Sequence, residues 1–201
     1  MTIKHSIVYF SGVVDDNGNG ATELTGDHGQ DVLSDFEELH PPPNAELFVV
    51  GFGGTLKKKR EVVTLASRVL SQNHHPIGKL IIYGYSAGGI NSLDFCRFLQ
   101  LAGQKVDLLI MVDTAGKGER VDRHVPGNVV RTRNYFQTDT SLLASDSVGA
   151  RAQGHDVTNI NCDDLPFQNV VLAQKSRHGQ MQDLLRARTL QDVRAELNRP
   201  S

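Results

Sequence analysis

Residues 79–89 read KLIIYGYSAGG. The apolar run from Leu80 to Tyr83 has the composition of a strand buried on both faces. It runs within three residues into Ser86, which is set among Gly84, Ala87, Gly88 and Gly89. Gly84, Ser86 and Gly88 fit the spacing G-x-S-x-G. Ala87 to Leu101, which follows, reads as a helix that is apolar over much of its circumference. Between a strand and a helix that spacing marks a serine nucleophile on a strained turn, its hydroxyl lifted above the sheet. The glycines are there for steric reasons, since strand and helix nearly touch at the turn. The helix N-terminus also brings partial positive charge to a developing oxyanion. The competing reading is an ordinary turn in which Ser86 caps the helix.

The flanking segments alternate in type. Ser6 to Val14, Glu46 to Gly54, Lys79 to Gly84 and Val106 to Asp113 read as strands, with Val129 to Gln137 nearer an edge and Val157 to Cys162 as a short last strand. Asp31 to Leu39 and Leu56 to about Gln72 carry the apolar spacing of helices; Pro41, Pro42 and Pro43 stop the first and Pro76 follows the second. Gly103 suits the end of the helix that begins at Ala87. Beyond Gln180 the pattern suggests two short helices, with Thr189 and Asp192 as a fresh start signal. The expectation is α/β: one domain over 1–201, with a mainly parallel sheet, helices on both faces and no large cap domain. The least regular stretch, Gln137 to Asp156, has a length that is more often functional than idle, and Asp139 to Gly154 is expected to form a flap over the site.

With 201 residues and a formal net charge of -2, the chain needs no disulfide or metal staple and has no global basic field. Nucleic acid is therefore not the expected partner, and KKKR at 57–60 reads as a solvated helix start. Cys96 and Cys162 form no disulfide framework, and Cys96 reads as a small buried hydrophobe. No apolar run is long enough for a transmembrane segment, and the N-terminus reads as a strand rather than a signal peptide. The default expectation is a cytoplasmic protein, with signal-independent export left open. DDNGNG at 15–20 mimics the start of a calcium loop, but Gly26 stands where its closing glutamate belongs, so a plain loop is expected. No cysteine and histidine spacing suits zinc.

A serine hydroxyl needs a base, and the base needs an orienting acid. Asp113 is the expected acid, because it ends a buried strand where sites form in open α/β sheets. Asp139 is the alternative. His178 is the expected base among eight histidines, being late in the chain and ahead of a C-terminal helix, with His155 and His124 behind it. For the oxyanion, the Ala87 amide is one donor. The second is Phe52, with Gly53 next, in the glycine-rich GFGGT at 51–55.

These residues resemble the α/β-hydrolase superfamily, specifically its small lipase- and thioesterase-like members. GYSAGG is similar to the serine turn of that superfamily, and IMVDTAG to the strand end that bears the acid. PGNVVRTRNYFQ is similar to a segment of the lipase-like proteins, and VTNINC with the later His178 to their last strand and histidine loop. The resemblance runs from about Glu46 onward. It implies a serine hydrolase cleaving an ester or thioester of a small-molecule or lipid acyl substrate, with no cofactor and no metal. A non-catalytic binding domain on the same fold is the alternative.

Overall fold

The computed structural model describes residues 2–12, 22–23, 30–53, 59–75, 78–115, 122–137, 151–165 and 177–200, with backbone alone at 22–23, 30, 59 and 177–180. Seven strands form one sheet: β1 (Ile3–Phe10), β2 (Thr22–Glu23), β3 (Ala45–Gly53), β4 (Leu80–Tyr85), β5 (Val106–Val112), β6 (Val129–Phe136) and β7 (Val157–Asn161). Their order is β2-β3-β1-β4-β5-β6-β7. All neighbours are parallel except β2, a two-residue edge strand antiparallel to β3 that has no counterpart among the expected strands. Among the described residues the helices are α1 (Gln30–Glu37), α2 (Lys59–Asn73), α3 (Ala87–Leu101) and α4 (Arg177–Leu197), with a 3-10 turn at Cys162–Asp164.

Strand alternation explains the unbroken apolar runs. In β1, Val8 and Phe10 face a core shared with α2 and α3, whereas Ile7 and Tyr9 face a second core shared with α1 and α4. In β4, Leu80 and Ile82 join the first core, Ile81 and Tyr83 the second. Each face is covered by helices, so neither needs polar side chains. Cys96 is buried in the first core and Cys162 in the second, both as free thiols. Among the described residues no helix is long and apolar enough to cross a membrane.

The expected break near Thr189 does not occur. α4 is one helix of 21 residues. Thr189 is fully buried, and its hydroxyl donates to the Arg186 carbonyl oxygen at 3.2 Å, one turn back, rather than capping a new helix. Such back-bonding lets a threonine sit inside a helix. Burial of Leu185, Val193 and Leu197 against the sheet holds the helix continuous through it.

α4 runs opposite to the strands. Near its start, Gln182 Nε2 donates to the hydroxyl of Tyr9, one residue short of the β1 end, at 2.7 Å. At its other end, Glu196 takes the fork of Arg131 through Nε at 2.8 Å and Nη2 at 2.5 Å. Lys79 Nζ lies 3.8 Å from Glu196 and 3.8 Å from Asp107. Lys79 and Asp107 stand at the N-terminal ends of β4 and β5. The first turn of α4, which includes His178, therefore lies at the strands' C-terminal ends.

Candidate active site

The turn from β4 into α3 is built by close approach. A methyl carbon added at Gly84 would sit 2.5 Å from the Gly88 carbonyl oxygen and 2.7 Å from the Gly89 Cα. One added at Gly88 would sit 2.1 Å from the carbonyl oxygen of Phe10 and 2.3 Å from that of Ser11. Gly84 thus lets the strand meet the helix, as the sequence suggests, while Gly88 lets the helix meet the end of β1. Between them Ser86 has φ 55 and ψ -123. A non-glycine residue held there costs about 1–3 kcal/mol and persists only where its surroundings enforce it. Ser86 makes no side-chain capping hydrogen bond to α3, which removes the cap reading.

Two backbone bonds enforce the turn. Ser86 N–H donates to the Val112 carbonyl at 3.0 Å, and Ala115 N–H donates to the Ser86 carbonyl at 3.2 Å. They bracket Asp113, the first residue beyond β5, which is also in a left-handed conformation at φ 44. Asp113 is buried, its amide donates to the Tyr135 carbonyl at 2.7 Å, and its Oδ2 accepts from Gln137 Nε2 at 3.2 Å. Serine and aspartate thus occupy neighbouring strand ends joined by their own backbone. Gln137 comes from the end of β6 and was not among the expected site residues; its place is set by the parallel register of β5 and β6. Cys162 lies close enough to feel the same carboxylate. Burial, and then the charge of Asp113, push its thiol up to about 12, so it stays protonated.

No family model and no curated protein matches the chain. Solved structures do. A Lactobacillus plantarum WCFS1 protein assigned as a cell surface hydrolase superposes with a TM-score of 0.50 at 13% identity, over 98% of this chain and 97% of that one. RedJ, a thioesterase from the prodiginine biosynthetic pathway in Streptomyces coelicolor, gives 0.49 at 12% identity, over 96% and 90%. The chain has the α/β-hydrolase fold. In this α/β-hydrolase fold the serine strand β4 is flanked by β5 on one side and by β1 on the other.

That order bears on the second oxyanion donor. Phe52 lies within β3 rather than in a loop beyond it, its carbonyl accepts from Ser11 N–H at 3.0 Å, and β1 separates it from β4. The backbone beside Ser86 is that of Ser11 and Gly12, just past β1. A methyl carbon added at Gly12 would lie 3.3 Å from the Ser86 Cβ. The sequence signal was present in Ser11 and Gly12, directly after the first apolar strand. What was missing was the strand order, which puts the first strand, not the second long one, next to the serine strand. Ala87 is the first residue of α3 and is buried directly after Ser86.

The histidines divide by position. His5 lies early in β1, and His40, His74, His75, His124 and His155 lie on connections leading into β3, β4, β6 and β7. His178 lies in the first turn of α4, at the opposite end of the sheet from His5 and His74. Its side chain, Asp139, the calcium-like stretch 15–20 and most of the expected flap, its residues 139–150, lie outside the described residues. Among the described residues no group of three or more His, Cys, Asp or Glu could hold a metal ion.

Proposed function

We propose that the chain is a serine hydrolase that cleaves an ester or thioester through an acyl-enzyme. The observation that carries this reading is Ser86: a serine held at φ 55 on a turn that two backbone bonds enforce, with no capping bond from its hydroxyl. Such strain is retained where it serves chemistry. Buried Asp113 on the adjoining strand end supports it as the acid.

In the proposed sequence, Ser86 Oγ attacks the acyl carbon as His178 takes its proton. The carbonyl oxygen becomes an oxyanion, held by the Ala87 amide at the start of α3 and by an amide of the Ser11–Gly12 segment, the backbone that touches Ser86. His178 returns the proton to the departing oxygen or sulfur. Water then attacks the acyl-enzyme, again losing its proton to His178; the bond from the acyl carbon to Ser86 Oγ breaks, His178 returns the proton to that oxygen, and the acid product leaves. Asp113 orients the imidazole and stabilises its cation without taking the proton. Gln137, donating to Asp113, holds that carboxylate in place. The position of α4 supports His178 as the base, and Asp139 remains the alternative acid. The substrate is proposed as a small-molecule or lipid acyl compound.

Labelling with a fluorophosphonate, mapped by mass spectrometry, tests the reading. The adduct is expected on Ser86 and is lost in Ser86→Ala. A folded protein that takes no label and cleaves neither p-nitrophenyl esters nor an acyl-thioester is a binding domain instead. Comparing those two substrate types decides between oxygen and sulfur as the leaving atom.

A further inference from the structure

Arg123 lies on the connection from β5 to β6 and is buried, with 8% of its surface exposed. Its Nη2 donates to the Thr114 carbonyl oxygen at 2.8 Å, and its Nε is buried with no hydrogen-bond partner among the described residues. Among the described residues no carboxylate forms an ion pair with it. A buried guanidinium held by one neutral acceptor is costly, and its retention calls for a reason. Burial lowers its pKa, and the nearby charge of Asp113 opposes that lowering. Because the Nε is sealed off, Arg123 is not poised to meet a substrate there.

The acceptor it has chosen is the telling feature. The Thr114–Ala115 peptide accepts from Arg123 at its carbonyl and donates to the Ser86 carbonyl oxygen from its N–H, at 3.2 Å. In a planar trans peptide the two groups point in opposite directions, so one peptide plane links the guanidinium to the strained serine. Hydrogen bonds in series polarise one another, and a charged donor on the carbonyl makes the N–H a stronger donor. The same peptide begins one residue after Asp113.

We propose that Arg123 is a positioning residue for Ser86 and Asp113, acting through the Thr114–Ala115 peptide, and that its buried charge lowers the pH at which the histidine base is half protonated. The second half rests on the hydrolase reading above; the first does not. A cation near the carboxylate opposes formation of the imidazolium, so removing it favours the imidazolium. The other groups around Asp113 are Gln137 from β6, Tyr85 from β4 and Cys162 after β7, with Asp163, Asp183 and Arg188 acting on that tyrosine or cysteine. Burial raises both Tyr85 and Cys162 and keeps them neutral through the working range, so neither replaces the charge of Arg123.

Two neutral variants test this. Arg123→Met loses both bond and charge; Arg123→Gln loses the charge but keeps an amide donor for Thr114. Amide hydrogen exchange reads the first half without any need for activity: the Ala115 amide should exchange faster in Arg123→Met while β4 and β5 stay protected. Kinetics read the second. In Arg123→Met, kcat should fall up to about 100-fold with KM little changed, as for a group that only misplaces the reacting atoms. The acid limb of kcat/KM should move to higher pH by about one unit in both variants and stay in place in Arg123→Lys. Wild-type exchange at Ala115 in folded Arg123→Met overturns the positioning role, and an unmoved acid limb in both neutral variants overturns the electrostatic one. Should Arg123→Met not fold, Arg123→Gln carries both tests: loss of the charged donor should speed Ala115 exchange there too, and wild-type exchange in folded Arg123→Gln then overturns the positioning role. A wild-type protein that takes no fluorophosphonate removes the hydrolase reading and with it the electrostatic half, while the exchange result stands.

Discussion

The two ends of the sheet are held by opposite means. At the C-terminal ends, backbone holds backbone: Gly84 and Gly88 admit close approach, and Ser86 and Asp113 sit at positive φ, pinned by backbone hydrogen bonds. At the N-terminal ends, charge holds side chain: Lys79, Asp107, Arg131 and Glu196 form a buried network that anchors the last turn of α4. His5 accepts from Lys79 N–H at 2.8 Å there, and His74 Nδ1 meets the Ser6 hydroxyl at 3.0 Å. The strained serine stands at one end, and buried charge pairing is concentrated at the other. A site that must hold a serine awkwardly is thereby separated, by the length of the sheet, from the groups that secure its longest helix.

This contrast can be broken at either end. Ser86→Ala should lower kcat by on the order of 10⁶-fold with the unfolding midpoint nearly unchanged; a folded variant with ordinary turnover removes the nucleophile from the account. Asp113→Asn should lower kcat by roughly 10³- to 10⁴-fold, whereas Asp139→Asn should cost about tenfold or less. The reverse ranking assigns the acid to Asp139. At the far end, Glu196→Ala leaves Lys79 and Arg131 short of their shared carboxylate and should cost about 3–5 kcal/mol in urea unfolding, with kcat of the folded fraction preserved. Loss of kcat in step with stability would mean that the two ends are not independent.

Smaller effects sharpen the same picture. Burial lowers the pKa of His5 and of His74, each from 6.5. In that case the unfolded chain binds more protons than the native one once the pH drops below about 6.5. Stability is therefore full above that value and declines as the pH falls toward the native pKa values; unfolding midpoints at pH 7.5 and 5.5 should show the loss. Midpoints that rise on acidification would contradict neutral histidines in the native state. Ser86→Gly should raise stability by up to about 1 kcal/mol while abolishing activity, because glycine occupies φ 55 without strain. A drop in stability would mean that the serine side chain contributes packing that outweighs its backbone cost.

Much of this was legible in the amino-acid pattern. KLIIY and LLIMV carry the signature of strands covered on both faces, α3 runs from Ala87 to Leu101 as its pattern suggests, and the small residues at 84 and 88 announce the turn. What local pattern cannot give is adjacency. Nothing in the segment around Ser11 and Gly12 says that β1 lies beside β4, so the glycines after β3 look equally suited to face Ser86. Thr189 misleads for a related reason: a helix start signal is local, whereas the burial that carries α4 through it comes from the sheet. Gln137 and Arg123 are likewise meaningful only through the partners that parallel register and a returning connection bring to them.

The central place of β1 has a bearing on how the chain acquires its fold. β1 pairs on one side with β3, where Ser6 meets Phe48, and on the other with β4, where Ser6 meets Leu80. Neither partner is a sequence neighbour, so both pairings close long loops before any strand hydrogen bonds repay the lost chain entropy. Domains dominated by such distant contacts fold slowly. β3 precedes β4 in the chain and can cover one edge of β1 first; the other edge stays open until β4 and α3 have followed and Gly88 can settle on Phe10. The contact that seats the serine turn is thus also the one that closes the second edge of β1.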